Sequence, residues 1–302
     1  MRRNLVRWLG GGIAAVLGIG LVVFASQQGW FGGKAQRLLT QATYAEQQNN
    51  VSEAQARLEE LVTTFPDSPW ADDALLKLGE LYETQQQWVE ARAMYQRLLE
   101  RFPDSPLVAT TQAHLGHVNV AVFFSPTVTE LDTVYDVRPG DTVGKIASSH
   151  GTTVSFVKRA NGLKGDLIHP GQKLKLPKGH FSIVVDKSQN QLLLTEDNQF
   201  MKSYVVATGK ENSTPIGTFK IVNKIVNPVW YKEGAIVPPD SPGNILGTRW
   251  MGIDKAGFGI HGTVDPNALG QQLTAGCVRM GNGDVEELFD IVPIGTEVTI
   301  VD

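Results

Sequence analysis

The chain has 302 residues, 42% hydrophobic and 19% charged, with 31 Gly and 15 Pro. This globular composition leaves room for two or three domains and excludes collagenous, disordered and multi-span membrane classes. A net charge of −4 argues against a nucleic-acid partner, because a phosphate polyanion needs a basic excess. The charge is unevenly spread: residues 132–180 carry 8 Lys/Arg against 4 Asp/Glu, between two acidic ends. The only cysteine, Cys277, leaves no intramolecular disulfide and no Cys-rich zinc site.

The N-terminus reads Met1-Arg2-Arg3-Asn4-Leu5-Val6-Arg7, followed by Trp8 to Ala25 without a charge. As a helix this run rises about 27 Å, close to a hydrocarbon core of about 30 Å. The arginines hold its start on the cytoplasmic side, so the rest is expected outside the cytoplasm. Val23-Phe24-Ala25 offers a cleavage site, which would make the protein secreted. The length favours an uncleaved signal-anchor over residues 1–31, and with it a membrane contact.

Phe65-Pro66-Asp67-Ser68-Pro69 recurs 37 positions later as Phe102-Pro103-Asp104-Ser105-Pro106. Amphipathic stretches precede both copies (Ala54–Val62 and Ala91–Leu99), and Ala71–Tyr82 follows the first with apolar residues at helical spacing. A helix–turn–helix repeat of this period suggests a solenoid over 34–124. It resembles tetratricopeptide repeats (TPR), which implies a spacer or a docking surface for a protein partner. His114 and His117, three apart, have no third ligand in view and are expected to be solvated.

Ser125-Pro126-Thr127 ends the helices. Val134–Val137 alternates as a strand, Arg138-Pro139-Gly140-Asp141 reads as a turn, and Thr142 caps a short helix. A second helix, Val154–Ala160, stops at Asn161-Gly162, and a strand over Lys173–Leu176 closes the unit. This βααβ pattern over 132–178 closely resembles a LysM module. The resemblance implies binding of N-acetylglucosamine-containing glycans such as peptidoglycan. The implied groove uses Gly140, Asp141 and Thr142 from one loop and Asp166, Leu167 and Ile168 from the other. The local basic excess suits a carboxylate-rich polymer.

From 181 to 302 short alternating strands dominate (Ser182–Val185, Gln191–Thr195, Lys202–Thr208, Gly217–Val222, Glu297–Val301), a pattern expected of a β-sandwich or barrel-like domain. His261 is the only histidine after residue 180, so thiol chemistry here leaves one pairing, His261 with Cys277. A free cysteine is ordinarily buried and structural. A lone thiol in an oxidising compartment, however, must be used or hidden. Gly276 before Cys277 lets the backbone turn N–H groups outward, as an oxyanion hole requires.

The pieces Ala207-Thr208-Gly209-Lys210, Thr214–Lys220, Gly259-Ile260-His261-Gly262-Thr263 and Gly276-Cys277-Val278-Arg279-Met280 together resemble a YkuD-type L,D-transpeptidase catalytic domain. The His-to-Cys spacing of 16 agrees with that family. One position departs, with Ala275 where many members have a histidine. The resemblance implies Cys277 as nucleophile, His261 as base oriented by the Gly262 carbonyl, and oxyanion donors from Gly276 and Cys277. Thr274 and Arg279 would contact substrate, Arg279 through a stem carboxylate or else in a salt bridge with Asp284. For Trp230, Tyr231 and Trp250 the two readings are cleft lining and core packing, with core packing the default. No metal and no cofactor is implied.

The expected fold is therefore multidomain: an N-terminal transmembrane helix, all-α TPR-like repeats, a small βααβ LysM module and a C-terminal mainly-β L,D-transpeptidase domain. The expected function is formation of 3–3 peptidoglycan crosslinks, or exchange of the terminal D-amino acid, in the cell envelope. The alternative is a degenerate peptidoglycan-binding scaffold that recruits partners through its repeats.

Overall fold

The computed structural model describes residues 33–232, 234–239 and 241–302. The expected membrane segment, residues 1–31, lies outside them. Among the described residues no helix is long and apolar enough to cross a membrane. The chain divides into two compact units, the first ending at His114 and the second running from Leu115 to Asp302.

The first unit is helical: α1 (33–47), α2 (Val51–Thr64), α3 (Ala71–Thr84), α4 (Trp88–Arg101) and the start of α5 (Val108–Phe124). The sequence repeat is a repeat of geometry. Phe65 and Phe102 both leave their helices at φ −127°. Their N–H groups donate to Leu61 O and Leu98 O, each at 2.8 Å. Ser68 and Ser105 then accept the N–H two residues on, at 3.4 and 3.1 Å, a local turn that breaks one helix and aims the next. Between α3 and α4 the helices approach closely because Gly79 has no side chain; an added Cβ would collide with the Tyr95 ring.

The histidine expectation is corrected in part. His117 is exposed, but His114 is half-buried, its Nδ1 2.6 Å from Glu83 Oε2 and its ring 5.4 Å from that of Tyr95. Glu83 also accepts from the Tyr95 hydroxyl. A carboxylate on the neighbouring helix, rather than solvent, takes up the His114 ring.

In the second unit, β1 (Asp132–Asp136) pairs antiparallel with β2 (Lys173–Pro177). Helices α6 (Val143–Ser149) and α7 (Val154–Ala160) lie between them in sequence. Thr142 and Thr153 cap these helices by accepting from Lys145 N and Phe156 N. The module shares one apolar core with the sheet that follows: Phe123, on α5, meets Phe156 at 4.3 Å and Phe181 at 5.5 Å.

Much of the module's basic excess is engaged inside the protein. The buried Lys175 ammonium donates to Val122 O, Phe123 O and Ser125 O at 3.0–3.2 Å and faces Asp132 at 3.4 Å. Arg159 pairs with Asp290 at 2.9 Å and lies 3.6 Å above the Phe124 ring. Lys158 and Lys173 pair with Asp166 and Asp136. The basic stretch is thus partly a set of internal ties.

The main sheet of the C-terminal part is one eight-stranded order, β13-β11-β10-β7-β14-β3-β4-β5, rather than two separate sheets, with β3 over Phe181–Asp186 and β4 over Gln191–Glu196. The strands that position the site are β7 (Gly217–Val226), β10 (Arg249–Ile253), β11 (Gly259–His261), β13 (Val278–Arg279) and β14 (Glu297–Val301). The long strand β7 is shared: residues 217–220 pair with β14 and residues 221–226 with β10. One half of the sheet thereby continues into the other. Helix α8 (Asn282–Ile291) packs on β10 through a buried row, Val285, Leu288 and Ile291. The expected strand Lys202–Thr208 is instead β5 (Gln199–Val205) and a short β6 (Thr208–Gly209), because Val206 N–H leaves the ladder to donate to Asn190 O.

Candidate active site

Strand β11 lies between β10 and β13 and runs parallel to β13, with Ile260 opposite Val278 and His261 opposite Arg279. This register brings a histidine and an arginine abreast and places Cys277 at the entry to β13. The three residues line one cleft of about 590 Å³, together with Trp230, Tyr231, Trp250 and Phe258. Core packing is therefore not the role of the first three aromatics; Tyr231 is 75% exposed. Trp230 and Tyr231 belong to β8 (Trp230–Lys232) and Trp250 to β10.

Cys277 sits in a turn made possible by Gly276. That residue has φ +129°, and an added Cβ would lie 2.6 Å from Phe258 Cε1 and 2.9 Å from Ser213 O. The turn is tied by Thr274, whose hydroxyl accepts from Gly276 N–H at 3.1 Å and donates to Cys277 O at 2.7 Å. Two expectations change here. Thr274 lines the same cleft, but it is 3% exposed and its hydroxyl is committed to the turn. The Gly276 N–H is engaged by that hydroxyl, which leaves the Cys277 N–H as the donor without an acceptor among the described residues.

The thiol donates to Gly257 O at 3.6 Å. Burial pushes its pKa up, while the Gly259 backbone and the Arg279 cation work in the opposite direction. His261 is 2% exposed. Its Nδ1 lies 2.7 Å from Gly262 O; a carbonyl only accepts, so Nδ1 carries the proton and Nε2 is left as the base. Burial is the main force that lowers its pKa, to about 4; Arg279 adds to it, and the bond to Gly262 opposes it. Near neutral pH both groups are uncharged, an imidazole facing a cleft that also holds a thiol. This is the arrangement for general-base activation of a nucleophile.

Arg279 makes no ion pair with Asp284, and its Nε is buried without a partner. Burial pushes the Asp284 carboxyl up, with Lys202 opposing. Ala275 is exposed on the cleft wall. In the βααβ module Gly140, Thr142, Asp166 and Leu167 are exposed, Leu167 at 77%. Asp141 is tied down instead: its Oδ2 accepts from Tyr135 Oη at 2.9 Å and from Arg138 N–H at 2.8 Å. Thr142 accepts as the helix cap, and Ile168 is partly buried against the core.

One residue that supports the site escaped the sequence reading. Asn282 Oδ1 accepts from Thr248 N–H and Thr263 N–H, each at 3.2 Å. It thereby fixes the peptide whose carbonyl orients His261. It fits because both Gly247 and Gly262 lack a side chain against it. An asparagine opening a helix after Gly281 reads as an ordinary helix start, and no local signal distinguishes it. Among the described residues no His/Cys/Asp/Glu group is arranged to hold a metal.

Comparison with known proteins gives three matching family models: an L,D-transpeptidase catalytic domain over residues 180–300, a LysM domain over 135–177 and a tetratricopeptide repeat over 45–115. The chain is 36% identical over 175 residues to a YkuD protein of Bacillus licheniformis named as an L,D-transpeptidase; the match covers 55% of this chain and 98% of that one. The similarly named YkuD of Bacillus subtilis is 34% identical over 173 residues, covering 55% and 97%. YqjB of Bacillus subtilis, also named as an L,D-transpeptidase, is 40% identical over 126 residues, covering 40% and 70%.

Proposed function

Because the chain belongs to the YkuD-type L,D-transpeptidase family and is an L,D-transpeptidase, we propose that Cys277 is its nucleophile and His261 its general base. The observation that carries this reading is the placement of the chain's only cysteine and a Gly262-oriented imidazole in one cleft.

The acyl donor is a tetrapeptide stem. The His261 Nε2 takes the thiol proton as Cys277 Sγ bonds to the carbonyl between the third residue and the terminal D-Ala. The tetrahedral oxyanion faces the Cys277 N–H, and Gly276 N–H adds a second donor when Thr274 releases it. Collapse breaks the C–N bond, and His261 returns its proton to the departing D-Ala amine, leaving a thioester. A side-chain amine of a second stem resolves it into a 3–3 crosslink; a free D-amino acid gives exchange instead. The unpartnered Arg279 receives a stem carboxylate.

We further propose the layout 1–31 signal-anchor, 34–124 repeats, 132–178 LysM and 181–302 catalytic domain. The protein works outside the cytoplasm at the cell wall. The two LysM loops, through Gly140, Asp141 and Thr142 and through Asp166, Leu167 and Ile168, face the glycan. The repeats carry a docking surface for a protein partner. The competing reading, a degenerate scaffold, draws on Ala275 and on a thiol kept protonated by burial.

The test is incubation of the full chain with a carbapenem, whose β-lactam acylates an activated thiol, followed by intact mass with Cys277→Ala alongside. A single adduct that disappears in the variant is expected. Folded protein with no adduct at any pH from about 6 to 9 would overturn the nucleophile assignment, since general-base catalysis contributes on the order of 10²–10⁴ in rate, and would promote the scaffold reading.

A further inference from the structure

His261 must become an imidazolium when it takes the thiol proton, and its surroundings oppose that. It is 2% exposed. Its charged neighbour is the Arg279 cation on β13, its titratable neighbour in the cleft is Cys277, and the other groups acting on it are the backbones of Gly262 and Leu246. No carboxylate is among them. What remains against the ring is Trp250, with centroids 5.9 Å apart and planes inclined by 18°.

The ladder explains this contact. Ile253 N–H donates to Phe258 O and Gly262 N–H to Arg249 O. Trp250 opposite His261, and Gly252 opposite Gly259, are therefore the non-hydrogen-bonded pairs, where side chains come closest. All four residues share one face of the sheet, since side chains alternate along a strand. Two of the four are glycines, and the indole lies across the space they vacate. An added Cβ would come 2.8 Å from Trp250 Cζ2 at Gly259 and 2.9 Å from the indole nitrogen at Gly252. On β7, Asn223 Oδ1 accepts from the indole N–H at 3.1 Å and from Gly252 N–H at 3.3 Å. The indole is thereby pinned at one end.

We infer that Trp250, fixed by Asn223 in a slot opened by Gly252 and Gly259, is a positioning residue whose ring face holds His261 and stabilises the imidazolium formed during acylation. This rests on the reading that His261 is the base. An aromatic face attracts a cation most strongly when water is excluded, and an indole does so better than a benzene ring. Trp250 therefore supplies the compensation that a carboxylate partner supplies elsewhere.

The test uses the full chain and compares wild type with Trp250→Phe, Trp250→Leu and Asn223→Ala, each checked for a retained melting temperature. Carbapenem acylation is followed by intact mass against concentration. The ring-current shift of His261 is followed by NMR of histidine-labelled protein. Maximal acylation is expected to slow modestly in Trp250→Phe and about tenfold in Trp250→Leu, with the half-saturating concentration little changed. The upfield shift of the His261 ring protons disappears in Trp250→Leu and weakens in Asn223→Ala, where the indole is present but released. A wild-type maximal rate in folded Trp250→Leu would overturn the inference while leaving the nucleophile and base in place. Equal slowing by Phe and Leu, confined to half-saturation, would reduce Trp250 to cleft lining and also overturn it. Wild-type protein that takes no adduct would sink the base assignment itself.

Discussion

The helical repeat and the cleft use similar small and polar residues in opposite ways. In the repeat, the backbone of Phe65-Pro66-Asp67-Ser68 and its copy closes on itself: the backbone bonds of the turn join residues within about one helical turn, and the two copies agree to within 3° in φ and ψ. In the cleft the same kinds of group work across distance. Asn282 ties residues 248 and 263, and Gly276 clears Phe258 and Ser213. Local hydrogen bonding makes a geometry that repeats when its sequence repeats. Long-range bonding makes one that exists only once the sheet has formed.

The largest effect is expected at Asn282, where one side chain holds two distant backbone groups. Asn282→Ala leaves two backbone N–H groups without an acceptor, and each such loss costs about 1–3 kcal/mol. It also frees the Gly262 carbonyl that orients His261. A drop of about 2–4 kcal/mol in unfolding free energy is expected together with acylation slowed on the order of 100-fold, within the range of a misaligned general base. Chemical denaturation and carbapenem mass kinetics on one preparation check both. Normal acylation would make Asn282 a purely structural tie.

A smaller effect sharpens the contrast from the helical side. Gly79→Ala drives a methyl group into the Tyr95 ring, and overpacking of this kind typically costs about 1–3 kcal/mol. The loss should appear in thermal melting of the helical signal, with acylation unchanged. A fall in acylation at a temperature where the helical signal is intact would show that repeat and cleft are coupled.

The most gradual effect is in pH. His261 in the folded protein titrates at about 4, against about 6.5 in an unfolded chain. Below 6.5 the unfolded chain binds the extra proton first. The stability associated with the neutral, buried imidazole is therefore complete above pH 6.5 and is lost as pH falls toward 4. Urea midpoints should fall across that window in wild type and fall less in His261→Gln. Acylation, which needs the neutral base, should stay level through the neutral range and drop as pH approaches 4. A midpoint slope unchanged by His261→Gln would show that other groups govern acid stability.

Much of this was readable from residue order. The offset of 37, the βααβ punctuation and the single His–Cys pairing lie in short, contiguous patterns, and the family matches fall on the same three regions. What misled were residues whose partners come from elsewhere in the chain. His114 looked solvated because Glu83 is on another helix. Thr274 looked substrate-facing because its bonds to Gly276 and Cys277 depend on how the turn closes. Part of the basic stretch looked available to a polymer although Lys175 and Arg159 are engaged internally.

By itself, then, the sequence determined which chemistry was available: one thiol, one imidazole near it, an arginine two residues beyond, and helices and strands set by apolar period and turn residues. Their protonation, hydrogen-bond partners and surroundings came with the fold. It chose the tautomer of His261 through Gly262, pushed the imidazole pKa down and the thiol pKa up by burying them, took the Gly276 donor into the turn, and laid Trp250 against the imidazole through the register of β10 and β11. Charge state and hydrogen-bond partner depend on desolvation and on neighbours in space, and the groups acting on His261 lie up to 18 positions away in the chain, as Arg279 does.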